Sequence, residues 1–152
     1  MSSRKDIPRR PVPLDAPRIG ALLRRAWQRV RERIYLGIRQ DGYDDLNPAH
    51  VSVFRYEGLD GRRPTQLAEE MQITKQSVND LLRYLEQRGY VESRPDPEDQ
   101  RARLIYLTPR GKRLDAAVRA HAAAAERQLS AELGAESFRQ FCSTLARICE
   151  RA

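Results

Sequence analysis

The sequence has few of the residues on which metal centres and disulfide frameworks are built. Among its 152 residues there are two cysteines and two histidines, and His50 and His121 lie far apart in the chain. Cys142 and Cys149 lie seven positions apart. That spacing puts them about 10 Å apart along a helix axis, which is too far for an intramolecular disulfide. We therefore expect no metal site, no such disulfide and no cofactor.

Long apolar runs are also missing from the sequence. No uninterrupted stretch approaches the roughly 20 apolar residues that a membrane-spanning helix needs. The first residues, MSSRKDIPRRPVPLD, are basic and proline-rich but have no apolar segment behind them, so they do not resemble a secretory signal. We interpret residues 1–14 as a flexible basic leader and expect the protein in the cytoplasm.

Lysine and acidic residues are scarce relative to arginine. Only three of the 28 basic residues are lysines, against 21 acidic residues, and the formal net charge is +7. Such a charge suits a polyanionic partner. An arginine-rich composition also arises in GC-rich genomes, so the charge alone leaves both interpretations open.

Six segments of the sequence repeat apolar residues at steps of three and four, which predicts six amphipathic helices. Asn47-Pro48 and Thr108-Pro109 each combine a capping side chain with proline at the first helical position, a strong start signal. Asp15 and Thr74 are the predicted N-caps of the first and fourth helices. The predicted helices cover residues 15–39, Asn47-Pro48 to Asp60-Gly61, Pro64–Met71, Thr74–Gln87, Thr108-Pro109 to Glu132, and the segment after Gly134.

Between the fourth and fifth predicted helices the apolar pattern changes to alternation. The segments 90–94 and 103–107 flank a polar, proline-containing stretch at 95–100, which predicts a β-hairpin. Two short helices joined by a tight turn and followed directly by a hairpin predict a winged helix-turn-helix. The fold class is therefore mainly α with a small β-hairpin wing.

The outer helices are too long and too one-sided to be buried by a small central lobe, so their apolar stripes need a partner. We therefore expect a dimer. The predicted division is a single domain over 15–152, with dimerisation helices at 15–45 and 109–152 around a winged helix-turn-helix lobe at 46–108.

The stretch PTQLAEEMQITKQSVNDLLRYLEQRGYVESRPDPEDQRARLIYLTPRG resembles the MarR family of bacterial transcription regulators. It has a Leu-Ala pair in the first short helix, Thr-Lys at the start of the second, and a Leu-Glu-x-x-Gly-Tyr-Val exit. An Asp-Pro-x-Asp-x-Arg wing and a Leu-Thr-x-x-Gly step follow. The resemblance implies a homodimer that binds double-stranded DNA, with the helix 74–87 in the major groove as the recognition helix.

The resemblance assigns DNA contacts to the exposed face of the recognition helix. Amide side chains suit adenine and arginine suits guanine, while Lys75, Ser77 and the amides of the first turn suit a phosphate. Asp80 either reads a cytosine or braces Arg83, and we favour the brace. A solvated helix face is the alternative interpretation. The candidate residues are Lys75, Gln76, Ser77, Asn79, Asp80 and Arg83.

In the wing, the resemblance implies that Arg101 enters the minor groove and that Asp99 hydrogen-bonds its guanidinium. A narrow minor groove attracts arginine because it concentrates negative potential. Arg94 and Arg103 either contact phosphates or belong to an ordinary salt-bridged hairpin. One departure from the family is Gln72, which stands where glycine is frequent. If this position is left-handed, glutamine costs about 1 kcal/mol.

Members of the family also bind small aromatic acids between the dimer helices and the DNA-binding lobe. Candidates for such a pocket here are Trp27, Tyr35, His50 and Phe54, with Arg31 as a carboxylate partner. The alternative, weighed at least equally, is that these residues are plain core.

The sequence therefore predicts a sequence-specific regulator, more specifically a repressor on a pseudo-palindromic operator, released by an aromatic or phenolic ligand. A protein-interaction module whose basic face binds an acidic partner is the alternative. An enzyme lacks support because no nucleophile–base pair, phosphate loop or metal set is recognisable. Cys142 has no neighbour in sequence that would activate it, so we expect inert packing there rather than redox sensing.

Overall fold

A computed structural model describes residues 18–55 and 58–150, so the predicted leader and the Asp15 cap lie outside the described residues. None of the helices within these ranges is long and apolar enough to cross a membrane. The predicted class, mainly helical with one antiparallel hairpin, is confirmed. The elements are α1 (Ile19–Gln40), α2 (Pro48–Val53), α3 (Pro64–Met71), α4 (Lys75–Gln87), β1 (Val91–Pro95), β2 (Arg103–Leu107), α5 (Pro109–Leu133) and α6 (Ala135–Cys149).

Three helices begin at the capping residues that the sequence predicted. The Asn47 side chain accepts from the amides of Ala49 and His50 at 2.9 and 3.0 Å. Thr74 and Thr108 cap α4 and α5 by accepting from the third amide of each helix at 3.1 Å. These contacts are local in the chain, which is why the residue types alone predicted them.

The second helix is shorter than predicted, since it ends at Val53 rather than near Gly61. The chain turns after Phe54 so that a later segment can join the hairpin: Gly61 donates to the carbonyl of Ile105 at 2.7 Å and Ile105 donates to that of Arg62 at 2.9 Å. Leu59 is buried as expected, but in a loop. Pairing with β2 thus overrides the local helical pattern.

The hairpin is antiparallel, with a register that runs from Val91 opposite Leu107 to Pro95 opposite Arg103. Its base is fixed to the α2–α3 loop because the Asp60 carboxylate accepts from the amide of Leu107. The core beneath the hairpin is formed by fully buried side chains of α3, α4, β1, β2 and α5 and of the turn between α4 and β1. They are Leu67, Val78, Leu85, Tyr90, Val91, Ile105, Leu114 and Val118.

Helices α1 and α5 pack against each other outside that core. At Gly37 a Cβ atom would come within 2.2 Å of Nδ1 of His121, so the absence of a side chain lets the two helices approach closely. The His121 ring also bonds Asp41 through Nε2 at 2.7 Å. Helix α6 contributes no buried residue, and both Phe141 and Ile148 on it are exposed. Its apolar face is therefore only partly covered within the described chain, since Phe138 and Leu145 are half-buried.

Candidate nucleic-acid interface

The turn between α3 and α4 sets the angle of the helix-turn-helix. Gln72 caps α3 in the left-handed region, with φ 53° and ψ 42°, and the amide of Ile73 returns to the carbonyl of Ala68 at 3.1 Å. The condition for strain at Gln72, a left-handed backbone, is therefore met. A Cβ-bearing residue is strained there, and glycine is not.

Helix α4 buries one face and exposes the other. Val78, Leu82 and Leu85 are buried against the core. All six candidates on this helix are exposed: Lys75, Gln76, Ser77, Asn79, Asp80 and Arg83. The expected bracing contact of Asp80 is confirmed, since its Oδ1 accepts from Nη1 of Arg83 at 3.1 Å and from Nε2 of Gln76 at 3.0 Å. One carboxylate therefore orients two of the exposed polar side chains.

Ser77 is engaged at the start of the same helix. Its backbone amide donates to the Thr74 hydroxyl, and the two hydroxyls lie 2.8 Å apart in a second hydrogen bond. Lys75 precedes it in the first turn, fully on the exposed side. The hydroxyl pair and the free amides of the first turn form a donor-rich surface that suits an anionic oxygen.

The wing tip differs from expectation in the partner of Asp99. Its Oδ1 accepts from the backbone amide of Arg101 at 3.0 Å, whereas we expected it to bind the guanidinium. The backbone of a tight turn offers the nearer donor, so an Asp two residues upstream closes a local turn. The exposed Arg101 side chain has no hydrogen bond or ion pair to any other described residue, and its guanidinium is therefore available.

The other two wing arginines differ in the contacts that their side chains make. Arg94 forms an ion pair with Glu92, and its guanidinium carbon lies 4.5 Å from the centre of the Tyr106 ring. Arg103, at the start of β2, is exposed. Arg94 therefore has the contacts of a salt-bridged hairpin residue, whereas Arg103 projects from the tip end of the wing.

Sequence reasoning missed two contacts that attach the wing to the helix-turn-helix. The Arg63 guanidinium bonds the carboxylate of Asp96 (Nε–Oδ2 2.7 Å), and Glu86 of α4 accepts from the amide of Ser93 at 2.9 Å. The backbone amide of Glu98 and the Arg63 guanidinium hold the pKa of Asp96 below its usual range. The available signal was Arg63 itself, because arginine is unusual at the cap position of a helix.

A second missed cluster attaches the segment between α4 and β1 to the start of α5 and to the α1–α2 loop. Asp45 accepts from the Tyr90 hydroxyl at 2.7 Å and from Nη2 of Arg110 at 3.1 Å. Arg110 also donates to the Arg88 carbonyl at 2.7 Å. Burial and the hydrogen bond to Asp45 raise the pKa of Tyr90 to about 12. The cluster joins the α1–α2 loop, the end of α4 and the start of α5.

The five candidates for an aromatic-ligand pocket divide into two groups. Trp27, Arg31 and Tyr35 follow one another at steps of four along one side of α1. Trp27 and Arg31 are exposed, with the Arg55 guanidinium 4.1 Å from the centre of the Trp27 ring. Tyr35 is half-buried and donates to the Leu46 carbonyl at 3.0 Å.

His50 and Phe54 lie on the inner side of α2 and its end. Phe54 is fully buried in the core. The His50 ring stacks on Tyr84 of α4 with centres 4.0 Å apart, and its Nδ1 accepts from the Asn47 amide at 3.2 Å. Burial lowers the pKa of His50. Tyr35 and His50 thus meet at the segment 46–47, while Phe54 is a core residue.

The segment that forms this surface is similar to one known protein family. The sequence model of the MarR family matches residues 44–102, from the α1–α2 loop to the wing tip. The matched segment contains α2, α3, α4 and β1, so the similarity to the MarR family falls on the winged-helix part of the chain. A search of the curated proteins finds no match to the sequence.

Solved structures extend the similarity to the helices outside the matched segment. CouR from Rhodococcus jostii RHA1 bound to p-coumaroyl-CoA is 28% identical, with a TM-score of 0.69 over 87% of this chain and 92% of that chain. The transcriptional repressor CouR bound to a 23-mer DNA duplex is also 28% identical, with a TM-score of 0.72 over 86% and 92%. A MarR-family regulator from Rhodococcus sp. RHA1 is 26% identical, with a TM-score of 0.71 over 88% and 94%.

Proposed function

We propose that the protein is a bacterial transcription regulator that binds double-stranded DNA sequence-specifically in the cytoplasm. The observation that carries the proposal is the surface formed by α4 and the wing. Six polar side chains of α4 are exposed on the face away from the core, and the adjoining wing carries Arg101 with an uncommitted guanidinium. A docking face for a protein would tolerate apolar residues in this place, and α4 offers none.

The chemistry of each element suits a different part of the duplex. In the major groove, Gln76 and Asn79 match adenine, and Arg83, oriented by Asp80, matches guanine. Lys75 and the Ser77 hydroxyl suit the phosphate next to the start of the helix. Arg101 suits a narrow minor groove, and Arg103 a neighbouring phosphate. Arg94, already paired with Glu92, fits a supporting role better.

The proposed regulator acts as a homodimer. Helix α6 buries none of its residues within the chain, and large apolar side chains are exposed on α1, α5 and α6. A second copy offers the same apolar faces, and a two-fold pair would present its recognition helices to half-sites about one helical turn of DNA apart. The operator is then a pseudo-palindrome. The exposed apolar residues are Ile19, Leu22, Trp27, Leu36, Leu133, Phe141 and Ile148.

The proposed regulator is a repressor that leaves its operator when it binds a ligand. The similar protein CouR is a transcriptional repressor and has been captured both with DNA and with p-coumaroyl-CoA, which supports a repressor controlled by an aromatic acid or its derivative. Trp27, Arg31 and Tyr35 would line the site on α1 with His50 beside them. Phe54 would support it from the core.

The test is fluorescence-anisotropy binding to DNA from upstream of the protein's own gene, against scrambled DNA, over a salt series. We expect binding to the upstream DNA to be about 10³-fold tighter or more and to weaken steeply with salt. Lys75→Ala should reduce binding to all DNA, whereas Arg83→Ala should reduce mainly the preference for the specific site. Equal weak binding to both DNAs, repeated on other promoter regions, would favour a module for an acidic protein partner.

A further inference from the structure

The carboxylate of Asp96 lies buried at the base of the wing tip, where its two oxygens have separate partners. Oδ2 accepts from the Arg63 guanidinium, at 2.7 Å from Nε and 2.5 Å from Nη2. Oδ1 accepts from the amide of Glu98 at 2.9 Å. Asp96 is 4% exposed, so a buried charge is matched here by one cation and by backbone donors.

The tip, residues 96–102, is not part of the paired strands, because the last pair of the hairpin is Pro95 with Arg103. Within the tip the backbone closes on itself: the Asp96 amide donates to the Ala102 carbonyl at 3.1 Å, and the Ala102 amide to the Asp99 carbonyl at 2.8 Å. Among the hydrogen bonds and ion pairs of the described residues, Arg63 is the only partner that residues 96–102 have outside the wing.

The backbone of Arg63 is fixed at the start of α3. Its backbone amide donates to Oε1 of Gln66 at 3.0 Å, and its backbone is extended at the N-cap of the helix. By contrast, the base of the wing is fixed by Glu86 at Ser93 and by Asp60 at Leu107, both within the strands. The Arg63–Asp96 pair is therefore a separate attachment that acts on the tip alone.

We propose that Arg63 and Asp96 are positioning residues that hold the wing tip against α3 and thereby direct Arg101 toward the minor groove. The inference rests on the proposed function, because it requires that Arg101 contact DNA. Without the pair, the tip keeps its internal turns but loses its fixed orientation to α4. Binding then has to order the tip, and that entropic cost weakens the complex.

For removal of the Asp96 carboxylate, a positioning role and simple electrostatics predict opposite changes in DNA affinity. Removing a carboxylate from a surface that faces phosphates should tighten DNA binding if only charge matters. The Asp96→Asn substitution is nearly isosteric and keeps an oxygen for the Glu98 amide, but it weakens the bond to Arg63. If Asp96 positions the wing tip, Asp96→Asn should therefore weaken DNA binding, even though the substitution removes a negative charge.

The experiment is a double-mutant cycle on specific-site affinity, measured by anisotropy with Asp96→Asn, Arg63→Gln, Arg101→Ala and the two doubles that include Arg101→Ala. We expect Asp96→Asn and Arg63→Gln each to weaken binding by about tenfold in the wild-type background. In the Arg101→Ala background each should change affinity less than about twofold, since Arg101 is then no longer there to be positioned. Thermal melts identify any variant that fails to fold. Because Arg63→Gln and Asp96→Asn each break the same ion pair, either variant can carry the test if the other does not fold.

Arg119→Gln is the matched control for loss of one positive charge, because Arg119 lies on α5 in an ion pair with Asp115, remote from the wing. It should bind DNA nearly as the wild type does. If Arg101→Ala leaves affinity unchanged, the proposed role of the wing is wrong and the inference falls with it. If Arg101→Ala weakens binding but Asp96→Asn tightens it, or weakens it equally in both backgrounds, the positioning role alone is overturned.

Discussion

The guanidinium of Arg110 donates to the carbonyl of Arg88, so the first turn of α5 is bonded to the last turn of the recognition helix. The same side chain reaches Asp45 at 3.1 Å and the Tyr90 hydroxyl at 2.8 Å. Its guanidinium carbon also lies 4.2 Å from the centre of the Tyr90 ring. One arginine therefore connects the DNA-binding lobe to a helix that we assign to the dimer.

The Arg110→Gln substitution should lower the free energy of unfolding by about 1–2 kcal/mol, since it removes several hydrogen bonds and leaves Asp45 without its cation. DNA affinity should fall as well, because α4 is less firmly fixed to α5. Urea denaturation and anisotropy measure the two effects. Lys112→Gln, an exposed change in the same helix turn, is the control. Unchanged stability in Arg110→Gln would show that the cluster contributes little.

Replacing Gln72 with glycine should stabilise the protein by about 1 kcal/mol, because the left-handed backbone at φ 53° strains any residue with a Cβ atom. The change in denaturation midpoint measures it. The matched control is Gln128→Gly, an exposed position inside α5 and before its last turn, where glycine should instead cost about 1 kcal/mol. Destabilisation of both variants would mean that the Gln72 side chain makes a contribution larger than the strain.

The sequence predicted those parts of the structure that depend on near neighbours in the chain. The caps at Asn47, Thr74 and Thr108 are all decided within a few residues. Tertiary contacts decided the rest. Helix α2 ends early because the segment after it pairs with β2.

The same limit applies to the candidate site. The exposed face of α4 follows from helical periodicity and was predictable residue by residue. The supporting contacts of Arg63 with Asp96 and of Arg110 with Asp45 join positions far apart in sequence, and no periodic pattern encodes them. The partner of Asp99 was wrongly expected because the resemblance indicated a side-chain bond, whereas the turn supplies a nearer backbone amide.

Stability should decrease as the pH falls through 6.5, because burial lowers the pKa of His50 from that value while the unfolded chain keeps it. Between the two pKa values the unfolded state binds more protons, so acid favours unfolding, and the loss levels off below the pKa of the folded state. Protonation would also place a proton on Nδ1, where the ring accepts from the Asn47 amide. Urea midpoints measured between pH 7.5 and about pH 5 test this.

The His50→Gln variant should show a smaller decrease over that range, although its stability at neutral pH is reduced by loss of the stack on Tyr84. Asp96 acts in a different window. Its lowered pKa contributes stability that is lost only as the pH falls below 3.8. Asp96→Asn should therefore leave the change near pH 6 intact. An identical pH profile in the wild type and His50→Gln would exclude His50 as its source.

The Phe141→Glu substitution should dissociate the proposed dimer, because it places a charge in the apolar face of α6, where Phe141 is 42% exposed in the single chain and Ile148 lies beside it. Sedimentation equilibrium should then give the mass of one chain, where the wild type gives two. Ser143 lies on the opposite side of α6, about 200° away around the helix. Ser143→Glu should therefore stay dimeric. If Phe141→Glu also keeps two chains together, α6 is not the dimer contact. Affinity for the full operator should fall together with the dimer, since one recognition helix then reads one half-site alone.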